Sequence, residues 1–508
     1  MNRLLQTKAL LCGIFLTLFF SSFTHAADGT PVWTNFLSGA GSPNAIAVDS
    51  NSNAVVVGSG PVVKYSSVGM PIWTNSYGNS SQGTTLTIDS SNNVYVTGSW
   101  LGLNWDFMTI KYSGAGIPLW TNSFNGAGNN NDFAAALVLD GNGNVFVTGQ
   151  STGSGGNYDY ATIKYSNAGV PLWTNIFNGT GNGNDHPYSL AADGNGNVIV
   201  TGYSNGSGSG NDWATIKYSS VGLPLWTNLF NGVGNGDDAA IQLAVDSTGN
   251  VYVTGFTTGT GSGFDAATIK YSSAGIPLWT NIFNGVGNGT DEGRSIALDK
   301  NNNVIMSGYT TDSRGVADCL TIKYSSAGMP LWTNICVLAG NTNIYPSSLA
   351  VDANGNVYIT GYSASGNYYS FVTLKYSSAG MSLWTNFFSR STGLNHSAYS
   401  VAVDGSSNVY VTGKSANGSA TDYATIKYSG PPPNVFSFIT TNGSFGFTSN
   451  QFLLLLTGPA GSNAVISVST NLQTWVPLMT NPLTGGTLTF TDTLATNYIY
   501  RFYRATLQ

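Results

Sequence analysis

Ser189-Leu190-Ala191-Ala192-Asp193 is followed by Asn197-Val198-Ile199-Val200-Thr201-Gly202, by Asp212-Trp213-Ala214-Thr215-Ile216-Lys217-Tyr218 and by Leu223-Pro224-Leu225-Trp226-Thr227-Asn228-Leu229-Phe230. Each run is short, rich in β-branched and aromatic residues, and bounded by Gly, Asn, Asp or Ser. That is the pattern of strands joined by turns. The second run is apolar without interruption, as expected of a strand buried on both faces. We name the four predicted strands A to D in chain order.

The phrase recurs eight times, marked by Trp33, Trp73, Trp120, Trp173, Trp226, Trp279, Trp332 and Trp384, with a 53-residue period from Trp120 to Trp332. Four short strands per unit of about 50 residues, with no helical period, predict the blade of a β-propeller. Two residues before the strand-A aspartate stands Ala47, Ala191, Ala244, Ala297, Ala350 or Ala402. Such small side chains suit a crowded axis, so A is expected innermost and D, which carries the Trp, outermost. The repeats open on a D strand at Trp33 and close on a C strand at Ile426-Lys427-Tyr428. Pairing these two closes the ring and removes the free edges of an open sheet. The expected fold is all-β: a propeller of eight four-stranded blades over 27–430, closed by the N-terminal strand, with seven blades as the alternative.

Asp159-Tyr160-Ala161-Thr162-Ile163-Lys164-Tyr165-Ser166 with Pro171-Leu172-Trp173, and Asp140-Gly141-Asn142-Gly143-Asn144-Val145-Phe146-Val147-Thr148-Gly149, resemble the SBBP β-propeller repeats of secreted bacterial proteins. The resemblance covers roughly residues 31–430. It implies a propeller and an extracellular setting, and seven blades where eight are counted. The unit around Val55-Val56-Val57-Gly58 is the shortest, and a degenerate blade is expected there. The resemblance supplies no catalytic residues.

At the start, Arg3 and Lys8, the apolar stretch Ala9–Phe20 and the small residues at Thr24-His25-Ala26 read as a signal peptide over 1–26. Export to the cell surface, the periplasm or the medium is expected, with no membrane span in the mature chain. Pro431-Pro432-Pro433 is a stiff spacer. Beyond it, 434–508 loses the repeat and offers strands at Phe452–Leu456, Ala464–Val468, Thr487–Phe490 and Tyr498–Tyr503, the outline of a small β-sandwich with an adhesive, sorting or capping role. Only 8% of residues are charged, and the net charge of −6 becomes −8 without Arg3 and Lys8. An acidic chain lacks the basic footprint that nucleic acid needs.

Propeller connections alternate between faces. A-to-B and C-to-D turns are tight, whereas D-to-A and B-to-C loops are long and rich in Gly, Asn and Asp, which makes theirs the candidate binding face. Two rings of carboxylates belong to it: Asp132, Asp185, Asp238 and Asp291 before strand A, and Asp106, Asp159, Asp212, Asp265, Asp318 and Asp422 before strand C. They suit Ca²⁺, which takes oxygen ligands, or a glycan; the alternative is that each Asp caps its own loop. The Asp140–Asn144 and Asp352–Asn356 segments look like the start of a calcium loop, but Ser151 and Ser363 stand where its acidic twelfth residue belongs, so a tight turn is expected. Irregular loops near Tyr345 and His396 add an aromatic and an imidazole suited to sugars. No nucleophile motif or metal cluster is apparent, so no catalytic residue and no resident cofactor is assigned, with Ca²⁺ kept as an option.

Cys319 and Cys336 lie equidistant from Ala327-Gly328, where other blades carry Tyr160 with Phe177, Trp213 with Phe230 and Phe107 with Phe124. They are expected to face each other across strands C and D as a disulfide, as exported proteins allow. The same register sets Lys111, Lys164, Lys217 and Lys270 against Trp120, Trp173, Trp226 and Trp279, where cation–π pairs are expected. Three functions fit: a secreted non-catalytic scaffold binding protein or polysaccharide through its loop face, a polysaccharide hydrolase or lyase using loop-face aspartates, or a structural envelope component.

Overall fold

The computed structural model describes residues 27–507 except 77–80, 262, 341, 392, 419, 432–436, 440–444, 449–450, 458–462, 472, 485–486 and 498–500. The expected signal peptide, two of the three prolines of the expected spacer and the first half of the strand expected at Tyr498–Tyr503 therefore lie outside the described residues. Contacts divide the chain into a unit of Gly29–Gly430 and one that includes Pro431–Gln508. Among the described residues no helix is long and apolar enough to cross a membrane.

Eight antiparallel four-stranded sheets make up the first unit. Blades 1 to 7 occupy 43–75, 81–124, 132–177, 186–230, 239–283, 292–336 and 343–388, and blade 8 joins 396–428 to Pro31–Leu37. The first strand pairs with Ala420–Tyr428, Phe36 opposite Ala424 and Leu37 opposite Tyr423, so the N-terminal D strand closes the ring. The shortest blade, with strand B at Ala54–Gly58, still has all four strands, which excludes the seven-bladed alternative. Each A strand touches the A strands of both neighbours, which places A innermost. The hydrophobic clusters lie between blades rather than within them. In one, Ile199 and Trp213 of blade 4 pack with Leu243, Val251, Val253 and Ile269 of blade 5.

The Trp-Thr-Asn signature is a grip on the next blade. Trp226 Nε1 and Lys217 Nζ both donate to the Ser273 carbonyl of blade 5, each at 3.2 Å, and Asn228 Nδ2 donates to the Gly275 carbonyl at 2.8 Å. Gly275 has φ +82°, and a Cβ there would stand 2.7 Å from the Trp226 ring. Only glycine lets the turn lie flat on the indole. The grip runs through the closure: Trp33 and Lys427 share the Ser67 carbonyl, and Asn386 donates to the Gly29 carbonyl.

The structure confirms the predicted Lys–Trp register but corrects the partner. Lys217 stands opposite Trp226 and Lys164 opposite Trp173, yet the neighbouring turn already covers the indole face. Each ammonium passes under strand B instead. Where strand B supplies Tyr95, Phe146, Tyr252, Tyr358 or Tyr410, Nζ lies 4.6–5.1 Å from that ring centroid. Where it supplies Val55, Ile199 or Ile305, Nζ pairs at 2.9 Å with Asp49, Asp193 or Asp299 at the end of strand A. Lysines this deeply buried, 3% exposed at Lys217, need such partners.

Those strand-A aspartates close the A-to-B turns. Asp140 Oδ1 accepts the Asn142 and Asn144 amides at 2.9 Å and Oδ2 accepts Asn144 Nδ2 at 2.8 Å, the tight-turn alternative to a calcium loop. Burial alone would raise these carboxyls, but the hydrogen bonds outweigh it and hold Asp49, Asp89, Asp140, Asp193, Asp246, Asp299, Asp352 and Asp404 below the ordinary value. A carboxyl whose folded pKa is depressed stabilises the fold above its unfolded value, and that contribution is lost as pH falls through the folded value. Melting temperature is therefore expected to hold down to about pH 4 and then fall steeply, since an unfolded Asp titrates near 3.9. Thermal melts from pH 2.5 to 6 test this; a melting point unchanged at pH 3 contradicts it.

Cys319 is buried and stands directly opposite Cys336, the register that the expected disulfide requires, and in this structure the two carry free thiols. Burial pushes the Cys319 thiol up to about 12 and raises Cys336 as well, so both stay protonated wherever the pair is reduced. Alkylation after unfolding without reductant tests the disulfide expectation: no label on either residue in a peptide map is the expected result, and label on both contradicts it.

The second unit has one sheet of Ser437–Ile439, Gln451–Thr457, Phe445–Thr448 and Thr487–Asp492, and another of Val476–Pro482, Asn463–Ser469 and Phe502–Leu507. Phe452, Leu454, Leu456 and Phe490 of the first share a core with Ala464 and Ile466 of the second, a sandwich arrangement.

Candidate functional site

Every strand A carries a β-bulge at the same place. In blade 4 Pro187 pairs with Gly202 and Ser189 with Thr201, which leaves Tyr188 unpaired. The corresponding residues are Asn44, Thr84, Ala135, Ile241, Arg294, Ser347 and Tyr399. The glycine of Val-x-Val-Thr-Gly is the other half of the device. A Cβ on Gly202 would stand 2.0 Å from the His186 carbonyl oxygen, and one on Gly308 1.7 Å from that of Glu292. A bulge re-aims one side chain, here on the innermost strand at its loop-face end. The eight residues are half-buried or exposed, and each follows a buried residue.

This ring is where the repeats stop resembling one another, and the sequence reading missed it. A signal was present: the fifth residue before each strand-A aspartate changes from blade to blade while its surroundings repeat. Beside the ring the central channel holds a cavity of about 300 Å³ whose polar lining includes Thr85, Tyr188, Gln242 and Arg294. Gln242 Oε1 accepts the Ser295 hydroxyl at 2.8 Å and the Ile296 amide at 2.7 Å, so its carboxamide is fixed in place. Arg294 bonds Glu292, the single glutamate of the chain, at 2.9 Å and lies 5.3 Å over the Tyr309 ring.

Aromatic rings continue outward from this mouth. Tyr309, Tyr345, Tyr362 and Tyr369 follow one another at 5.2–5.3 Å between centroids across blades 6 and 7. Trp105, Phe133, Tyr158, His186 and Tyr203 form a second arc across blades 2 to 4 at 4.8–6.3 Å, with Tyr188 5.8 Å from Tyr203. Except for buried Tyr309 and exposed Tyr188, these side chains are half-buried. Burial lowers the pKa of His186 although Asp185 opposes it, so the ring between the tyrosines is neutral at pH 7.

The two carboxylate rings face inward. Asp132, Asp185, Asp238 and Asp291 are 0% exposed. Asp132 Oδ2 accepts the Gly126 amide at 2.6 Å and Oδ1 the Thr152 amide at 2.8 Å, tying the D-to-A loop to the B-to-C loop; Asp185 does the same with Gly179 and Asn205. Asp159, Asp212, Asp265 and Asp318 are also buried, and Asp106 is half-buried. Burial raises the pKa of Asp106, Asp159 and Asp212, and the neighbouring carboxylates of Asp132, Asp185 and Asp238 add to it, against a Ser209 hydrogen bond at Asp212. Asp422 accepts the Gly39 amide at 2.8 Å and pairs with Arg390 at 2.5 Å. His396 is buried, its ring bonded to the Ser415 hydroxyl and the Ser391 carbonyl. Of the residues singled out from the sequence, Tyr345 alone joins the aromatic rings beside the mouth. Among the described residues no group of three or more His, Cys, Asp or Glu is placed to hold a metal.

No curated protein matches the sequence significantly. Solved structures similar to it include a streptogramin B lyase, 7% identical with a TM-score of 0.41 over 78% of this chain and 98% of that one. YCF48 bound to D1 peptide is 9% identical, with a TM-score of 0.41 over 81% and 99%. The WD40 domain of Neurospora crassa Pan2 is 8% identical, with a TM-score of 0.41 over 69% and 91%. Residues 338–369, which run from the loop before strand A of blade 7 to the start of its strand C, match the family model of the SBBP β-propeller repeat.

Proposed function

We propose that the chain is an exported, non-catalytic β-propeller that binds polysaccharide on its loop face, at the mouth of the central channel. The observation that carries this reading is the ring of bulged residues. A scaffold built from near-identical blades varies where a ligand would meet it, and four of the variable positions, Ala135, Tyr188, Ile241 and Arg294, line a cavity flanked by tyrosines. Half-buried tyrosines offer a flat apolar face and a polar tip, the combination that suits a sugar ring with its hydroxyls. Hydrolysis by loop-face aspartates has less support, because all of them but half-buried Asp106 are buried and those before strand A are bonded to loop amides. The second unit serves as an accessory or attachment module in this reading.

Binding of the purified protein to a glycan array, with and without Ca²⁺, tests the proposal. Tyr188→Ala and Tyr345→Ala are each expected to weaken binding about three- to tenfold, the loss of one aromatic contact of about 0.5–1.5 kcal/mol. Absence of glycan binding alongside hydrolysis of a tested polysaccharide sinks it.

A further inference from the structure

We infer that the channel cavity takes a carboxylate-bearing sugar unit, a uronate at or near a chain end, with Arg294 as the group that recognises its charge. The inference rests on the polysaccharide reading above and names the ligand class. Among the residues lining the cavity Arg294 is the only charged one; the others are Ala, Leu, Ile, Ser, Thr, Tyr and Gln. The chain as a whole is acidic, and its recurrent lysines are buried in the blade grips. The cavity thus presents one guanidinium, its charge partly offset by Glu292 behind it, in a negative protein.

Arg294 is also held ready. Its guanidinium is bonded to Glu292 at 2.9 Å and stacked 5.3 Å over Tyr309, while 44% of the side chain stays exposed. A guanidinium fixed at one edge and along one face leaves its remaining N–H groups to meet a planar carboxylate, with little ordering cost. About 300 Å³ lies at the small end of ligand cavities, room for a terminal sugar rather than a long run. Tyr188, 42% exposed and at the same mouth, provides a face for that ring, and the Tyr345–Tyr362–Tyr369 row provides faces for the units that follow. These apolar faces favour a sugar acid over a peptide C-terminus.

Calorimetric titration of the full chain with a hexamer of galacturonic acid, and with the same hexamer fully methyl-esterified, isolates the charge. The acid is expected to bind about tenfold tighter than the ester. Arg294→Gln should bring the two to the same affinity, and Arg294→Lys should keep part of the difference, with melting temperatures unchanged. Equal binding of acid and ester by the unaltered chain overturns the inference and leaves the polysaccharide reading standing, as does a preference that survives Arg294→Gln. Binding of neither hexamer, with no hit on the array, overturns both. Displacement of the acid by a peptide with a free C-terminus, but not by its amide, reassigns the cavity to protein ligands and also overturns the inference.

Discussion

Deleting Gly29–Leu37 is expected to abolish cooperative folding of the propeller, the largest effect of any change considered. The segment supplies the outer strand of blade 8, paired from Pro31 opposite Tyr428 to Leu37 opposite Tyr423. It also belongs to both adjoining seams. Phe36 packs against the cluster between blades 7 and 8, and Trp33 and Leu37 against the one between blades 8 and 1. With it go the Trp33 bond to Ser67 and the Asn386 bond to Gly29. What remains is an exposed strand edge beside two opened cores, a template for aggregation. Position in space matters here, whereas position in the chain does not, because Gly29 N–H already donates to the Ser429 carbonyl at 2.9 Å. Moving the segment to follow Gly430 through a five-residue turn like that of residues 219–223 should restore the melt. Circular dichroism and limited proteolysis of both variants decide the matter. A deletion variant that still melts cooperatively within about two degrees of the full chain disproves the closure argument.

Gly255→Ala should destabilise the ring by about 3–5 kcal/mol, the range reserved for substitutions that break a specific structural device. Its new Cβ would stand 2.0 Å from the Ala239 carbonyl oxygen and 2.9 Å from Ala240 Cα. Both are backbone atoms, which no rotamer change can move aside. Relief requires strand A of blade 5 to give up its bulge, which would turn Ile241 and all residues before it to the opposite face. Gly141→Ala is the matched control, since a Cβ there meets nothing within 4 Å. Its expected effect is within about 0.5 kcal/mol of zero. Denaturant midpoints for the two variants should therefore separate widely, and equal midpoints would falsify the pairing of bulge and glycine.

Much of this architecture was legible because strand signals are local. Apolar runs and turn residues gave the four strands, and the surplus D strand at Trp33 gave the closure. Equal spacing from a turn put Cys319 opposite Cys336 and Lys217 opposite Trp226. Errors arose where a third segment intervened. Lys217 left the indole because the turn of blade 5 lies on it, a contact 47 residues from Trp226 that no pairwise register reveals. The loop-face aspartates stood open between ligand and loop cap because amide donors have no sequence signature, and the structure favours the cap, Asp185 being held by Gly179 and Asn205. The bulge escaped for a similar reason. An extra residue in strand A shows only against its partner strand, and in one sequence Tyr188 and Arg294 read as ordinary strand positions. Comparing the copies with one another recovers them.

The blade grips point the same way round: the Asn of every blade reaches into its successor, as do the Trp and Lys of blades 1 to 6 and 8. In the language of quaternary structure this is a head-to-tail, heterologous contact repeated until rotation closes it, so the chain is the covalent counterpart of a cyclic octamer. A blade duplicated or lost as a unit would leave every remaining donor with an acceptor, and only the curvature would need to adjust. The number of blades is thus open to change by whole-unit steps, and each added blade would bring one more residue to the rim of the channel.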